Sequence, residues 1–404
     1  MWSAPCRKYP AASAAVDPPR LIEVSSVGIP YWRLSAWYFC YLAFLGGFNP
    51  YFSLYLKSLG ISALGIGVLL SLINVMRLVT PNLWSWLAER HGATMRVIRF
   101  SAVASLIVFA GFFQARSFTA LFLVTAALAF FFTGALPLVE ALTLSHLSHR
   151  IESYGRIRLW GSVGFILAVQ GVGLMLDMAS VDLLLWIGIA LLAATLASAL
   201  ALPEADLATV PHAAVDFGVV LRSPHMLALL AAGFFMSAAH APLYVFYSIH
   251  LVDHGYDKTE VGALWSLGVI AEIAVFIWMS WLMRTFSLRA IQSASFAVAT
   301  IRFLIIGWAI DWPVAAVAGQ LMHGATFGAH HAASVAAINR WFAPRHQARA
   351  LALYGSVSYG AGGVTGSLLS GCIWDALGAG TTFSLAAAFG GLGLVLVWRG
   401  LRGS

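Results

Sequence analysis

Residues 51–90 read YFSLYLKSLGISALGIGVLLSLINVMRLVTPNLWSWLAER, and residues 246–285 read FYSIHLVDHGYDKTEVGALWSLGVIAEIAVFIWMSWLMRT. With Phe246 laid on Tyr51 and no gap, ten of the forty positions are identical. The matches include Gly60/Gly255, Gly67/Gly262, Ser71-Leu72/Ser266-Leu267 and Ser85-Trp86-Leu87/Ser280-Trp281-Leu282. Further along, Gly134-Ala135 recurs as Gly324-Ala325, and Leu159 with Gly161-Ser162-Val163 recurs as Leu353 with Gly355-Ser356-Val357. Biased composition yields single matches by chance. Matches in one order at a near-constant offset mark an internal duplication.

The duplicated unit is oily. The chain has 404 residues, is 60% hydrophobic with mean hydropathy +0.85, and is only 10% charged. A soluble domain carries about 25% charged residues, so the composition is that of a polytopic membrane protein. Apolar stretches long enough to cross about 30 Å of hydrocarbon fall near 31–56, 62–88, 97–115, 118–144, 156–176, 182–202, 226–250, 259–283, 288–309, 313–341, 347–374 and 381–399. The most polar stretch separates six of them from the other six. The expected organisation is a disordered cytoplasmic tail (1–30), an N-terminal six-helix bundle (31–202), a central cytoplasmic linker (203–222) and a C-terminal six-helix bundle (223–400). The fold class is all-α integral membrane, with twelve transmembrane helices in two homologous six-helix bundles.

The net charge of +7 is spread singly between apolar runs, which excludes a nucleic-acid footprint and fits orientation signals in a lipid bilayer. With the N-terminus inside, eighteen of the 23 Lys and Arg lie in cytoplasmic loops and ends, and Lys57, Arg116 and Lys258 lie opposite. Arg77 and Arg302 alone lie deep within spans, away from their ends. The distribution predicts a multi-pass protein of the inner (plasma) membrane with both termini cytoplasmic. The three cysteines, Cys6, Cys40 and Cys372, form no disulfide framework. GxxxxGK[ST], HExxH, GxSxG and CxxC motifs are absent from the sequence, so no nucleotide, metal, cofactor or catalytic role is expected.

Glu272, Arg302 and His323 sit inside three successive spans. A charge at mid-bilayer costs about 3 kcal/mol on insertion scales, so such residues face a polar interior and work there. The duplication pairs Arg77 with Glu272, and Glu140 with His330. Glu272 is expected to carry a proton, loading or releasing it as a cation moves; the alternative is a static ion pair. Arg302 is either the partner of Glu272 or the anchor of a substrate carboxylate. Arg77 is a second carboxylate clamp, or a pair for Glu140. His323 and His330, seven residues apart, are expected on one helix face as a relay, whereas His331 points elsewhere. His240, beside Pro242, is expected to line the cavity. Tyr41, Phe44 and Phe48 recur at helical spacing and either stack on an aromatic ring or face lipid. Trp265 joins the expected substrate-binding set.

Several strings resemble the phenylpropionate permease family of the major facilitator superfamily. They are Tyr154-Gly155-Arg156-Ile157-Arg158-Leu159-Trp160-Gly161-Ser162, Leu264-Trp265-Ser266-Leu267-Gly268-Val269 with Ala271-Glu272, and His323-Gly324 with His330. The resemblance implies two six-helix lobes around a central site. It also implies proton-coupled import of a small, aromatic carboxylate, with Arg77, Glu140, His240, Glu272, Arg302, His323 and His330 as family positions. The superfamily loop after the second span is degenerate here, with Ser85, Glu89, Arg90 and Gly92. The chain is also distantly similar to lactose permease, whose helix 10 carries a Glu one turn after its His; Thr326 stands there instead. A sugar or nucleoside proton symporter, a drug-exporting antiporter and a non-transporting membrane sensor are the other functions weighed.

Overall fold

A computed structural model describes residues 29–147, 150, 152–204 and 220–401. The expected tail and central linker lie almost wholly outside the described residues. Among the described residues helices fill all twelve expected stretches, and there is no strand. They are α1 (Tyr31–Ser58), α2 (Ala63–His91), α3 (Thr94–Phe113), α4 (Phe118–Leu147), α5 (Ser153–Met178) and α6 (Leu183–Leu200) in the first half. The second half holds α7 (Pro224–Asp253), α8 (Lys258–Thr285), α9 (Leu288–Trp308), α10 (313–341), α11 (344–377) and α12 (379–400).

By length and composition, nine helices among the described residues qualify as membrane spans. One of these is a 52-residue run, Arg349–Gly400, that α11 and α12 share. The run turns at Gly378, whose φ of 77° is open to glycine at no steric cost. Starts are written locally. Ser62, Ser223 and Ser287 accept a backbone N–H at the heads of α2, α7 and α9, Asp257 and Glu260 close a capping box on α8, and prolines open α7, α10 and α11. Large apolar side chains such as Ile107, Trp186 and Ile277 point outward, as a lipid-facing surface requires.

Two helices change pitch. α10 passes through a π segment at Gly324–Ala329, and α11 through one at Ser356–Gly362. The i→i+5 bonding of a π turn takes up about one residue more than an α turn, so side chains beyond it rotate to a new face.

The lobes meet at the end opposite the arginine-rich loops. Gly67 on α2 lies against the Ser367 carbonyl of α11, where a Cβ would come within 2.6 Å of the oxygen. Its duplicate, Gly262 on α8, lies against the Val169 carbonyl of α5, with 2.8 Å for the same test. The seam therefore follows the pseudo-two-fold relation of the halves. At this end the Asp177 carboxylate of α5 accepts the backbone N–H groups of Lys258 and Thr259 at 2.8 Å each, at the head of α8. The Asp375 carboxylate of α11 accepts Ala63 N–H at 3.0 Å, at the head of α2. Lys57 and Asp253 add an ion pair across the seam, 2.8 Å to Oδ2.

Candidate functional site

Arg302 on α9 is fully buried. Its Nε donates to the Gly319 carbonyl at 2.6 Å, Nη1 donates to Thr326 Oγ1 at 3.0 Å and to His240 Nε2 at 3.2 Å, and Nη2 reaches Gln320 Oε1 at 3.5 Å. Arginine only donates, so His240 Nε2 is the acceptor, and His240 Nδ1 carries the hydrogen given to the Met236 carbonyl at 2.9 Å. Among the described residues no carboxylate pairs with Arg302. The expected Arg302–Glu272 partnership is thus not made, because the guanidinium is committed to α10 where that helix changes pitch. The same commitment turns Arg302 away from a substrate in this conformation. His240 is buried beside it rather than lining open space.

Glu272 on α8 places Oε2 4.0 Å from His323 Nε2 on α10. Beyond His323 the π segment sets which side chains share its face. His323 and Phe327 stack with centroids 5.4 Å apart, and Phe327 and His331 stack at 6.3 Å, so positions four and eight residues on share one face. His331 Nδ1 then meets Tyr359 Oη of α11 at 2.8 Å. His330 turns away: Nδ1 lies 2.6 Å from Gln292 Oε1 and Nε2 lies 3.1 Å from Tyr354 Oη, with Gln292 also donating to the His330 carbonyl and to Ser334. The same-face expectation for His323 and His330 is corrected, since it presumed 3.6 residues per turn throughout. His331, given no part by sequence, takes the place instead.

In the first lobe, Glu140 on α4 accepts from Tyr154 at 3.4 Å and lies 3.8 Å from Arg158 Nε. The alternative pairing of Arg77 with Glu140 is therefore not made. Arg158, counted among the loop charges from sequence, belongs to the second turn of α5, which starts at Ser153. It sits over the Tyr38 ring at 5.4 Å and is near enough to Glu272 to act on it electrostatically. The signal was present in the Arg156-Ile157-Arg158 string, which the expected span 156–176 already held. Arg77 is exposed, without a carboxylate partner among the described residues, and is felt by Tyr41 in its own lobe and by Tyr244 and Tyr359 in the other. It faces the space between the lobes.

The expected aromatic platform is corrected. Tyr41, Phe44 and Phe48 are 3%, 2% and 3% exposed. Tyr41 stacks on Phe132 of α4 at 4.3 Å, while Phe44 and Phe48 pack edge-on against Phe109 of α3. They are the core of lobe one. Trp265 is also buried, donating to Ser248 Oγ at 3.1 Å, and stacks loosely on Tyr244 at 6.0 Å. Tyr244, 44% exposed, is the open ring of that group.

Known proteins resemble this chain over most of its length. A protein of Escherichia coli (strain K12) named "Probable 3-phenylpropionic acid transporter" is 28% identical over 365 residues, covering 87% of this chain and 93% of that protein. The maltose permease of Geobacillus stearothermophilus is 24% identical, over 89% of this chain and 92% of that one. Among solved structures, the nucleoside transporter NupG superposes with a TM-score of 0.82 at 17% identity, covering 93% of this chain and 99% of that one. That likeness establishes the major facilitator fold. The profile of the MFS_1 like family matches residues 31–385. The chain thus belongs to the MFS_1 like family and is a multi-pass membrane transporter of the major facilitator fold.

Proposed function

We propose that the protein is a proton-coupled symporter importing a small organic, aromatic carboxylate by alternating access. The observation that carries this is Arg77: a mid-span arginine, exposed, with no carboxylate partner among the described residues, looking across the cavity at Tyr244 and Tyr359 while the Glu272–His323 contact lies in the facing lobe. A permanent cation in a partly dehydrated space calls for an anionic partner, and its planar donors suit a carboxylate. Tyr244 adds an aromatic face within reach. The 3-phenylpropionate name of the Escherichia coli relative supports the same substrate class.

In the cycle, Glu272 takes a proton and the substrate carboxylate settles on Arg77, so both charges are neutralised before the lobes rock. With the arginine-rich loops cytoplasmic, in the inner membrane, the seam at Asp177 and Asp375 closes the outer end, and the conformation is inward-open. Glu140, with Arg158 and Tyr154, serves as a charge reserve in lobe one. Proteoliposomes test the coupling: Glu272→Gln is expected to exchange 3-phenylpropionate across the membrane but not to accumulate it under an imposed ΔpH. Accumulation against the gradient by that variant would sink the assignment. The maltose permease likeness favours a neutral solute as the rival substrate; sugar uptake that is strong and indifferent to Arg77→Ala would establish it.

A further inference from the structure

The two π segments bring together a pair that the transport cycle leaves unused. The α10 segment rotates His331 into column with His323 and Phe327, and the α11 segment carries Tyr359 to it. π segments give up regular helical bonding and recur at functional sites. We propose that His331 and Tyr359 form a second proton station, between Glu272 and the arginine-rich end. The proposal rests on the symport assignment.

The chemistry of the pair fits. In the tautomer whose Nδ1–H donates to the phenol oxygen, His331 Nε2 keeps a lone pair for a proton, and the 2.8 Å bond keeps its direction on protonation. A proton leaving the Glu272 carboxyl passes through cavity water to Nε2, and leaves for solvent from the same atom. His331 and Tyr359 are both partly exposed. His330 has neither property: it is 4% exposed, and both ring nitrogens are taken, one by Gln292, which is fully buried. The charged and titratable groups around the pair are Glu272 from α8, Arg77 from α2, Tyr244 from α7, Tyr354 from α11, and His330 and His323 on α10 itself. Arg77 opposes a second positive charge at His331 until a substrate carboxylate neutralises it, which ties the station to cargo.

Histidine side-chain NMR of the full-length protein in nanodiscs tests the station without requiring transport. The resonance missing from His331→Gln is expected to titrate within the pH range over which the protein stays folded, and to shift its midpoint in Tyr359→Phe, while the resonance missing from His330→Gln stays fixed. A His331 resonance that is flat across that range, or unmoved by Tyr359→Phe, overturns the proposal. In proteoliposomes with 3-phenylpropionate, His331→Gln is expected to keep counterflow and lose at least about tenfold of ΔpH-driven accumulation, the scale of one charge-assisted contact. Accumulation equal to wild type overturns the station. A wild type that does not accumulate under ΔpH overturns the symport assignment instead.

Discussion

Arg302 Nη1 donates to Thr326 Oγ1 at 3.0 Å, so a permanent cation deep in α9 is held by a hydroxyl where the lactose permease-like pattern would supply a carboxylate. The charge is solvated by a carbonyl, a hydroxyl, an imidazole and an amide, all neutral. Removing one of these leaves a buried donor unmet, which costs about 1–3 kcal/mol or more for a charged group. Thr326→Val is expected to lower the melting temperature of the purified protein by several degrees, and Thr326→Ser to leave it nearly unchanged. Equal melting of both variants would show that the bond adds nothing.

Arg77 differs from Arg302 in being free to bind. Charge-assisted hydrogen bonds contribute about 1.5–3 kcal/mol, so Arg77→Ala is expected to weaken 3-phenylpropionate binding by about ten- to a hundredfold. Arg77→Lys, lacking the planar donor pair, should fall between. Isothermal titration of the three proteins checks the order.

The α1 aromatics make the opposite prediction. Phe44→Ala removes a ring that is 2% exposed, with a stability loss of about 3 kcal/mol. Its binding constant for 3-phenylpropionate should stay within about twofold of wild type, since buried rings of this kind hold the lobe together rather than touch cargo. A large affinity loss without a melting shift would return Phe44 to the substrate site.

At the seam, Asp177→Asn keeps the shape of the side chain but weakens its bonds to Lys258 and Thr259 N–H. Hydrogen exchange at residues 258–260 is expected to quicken, while exchange in the core of α8 is unchanged. Unaltered exchange at the head of α8 would show that the carboxylate does not hold that end.

Span positions and the duplication were legible because hydrophobic length and repeated identities survive without knowledge of contacts; Gly67 and Gly262, found as a matched pair, do face the same kind of close approach. The residue types of the second-lobe cluster were legible too. Their partners were not. Whether Arg302 meets Glu272 or Thr326 depends on helix rotation, and a single π segment exchanged the faces taken by His330 and His331. No residue in Gly324–Ala329 announces π bonding, although its two glycines, Gly324 and Gly328, sit where α8 comes close. Arg158 was counted with the cytoplasmic charges although the expected span, 156–176, already held it; its neighbours Glu140 and Tyr38 depend on helix packing that the sequence does not show.

The carboxylates that finish α8 and α2 belong to the opposite halves of the molecule. Parting the halves there exchanges Asp177 and Asp375 for water at the same backbone donors, so each carboxylate contact contributes only its net worth of about 1.5–3 kcal/mol and not its full strength. The Lys57–Asp253 pair, with both side chains over 40% exposed, contributes only about 0–1 kcal/mol. The closure is therefore specific in geometry but shallow in depth, a latch that thermal motion can lift once per turnover and reseat in the same register.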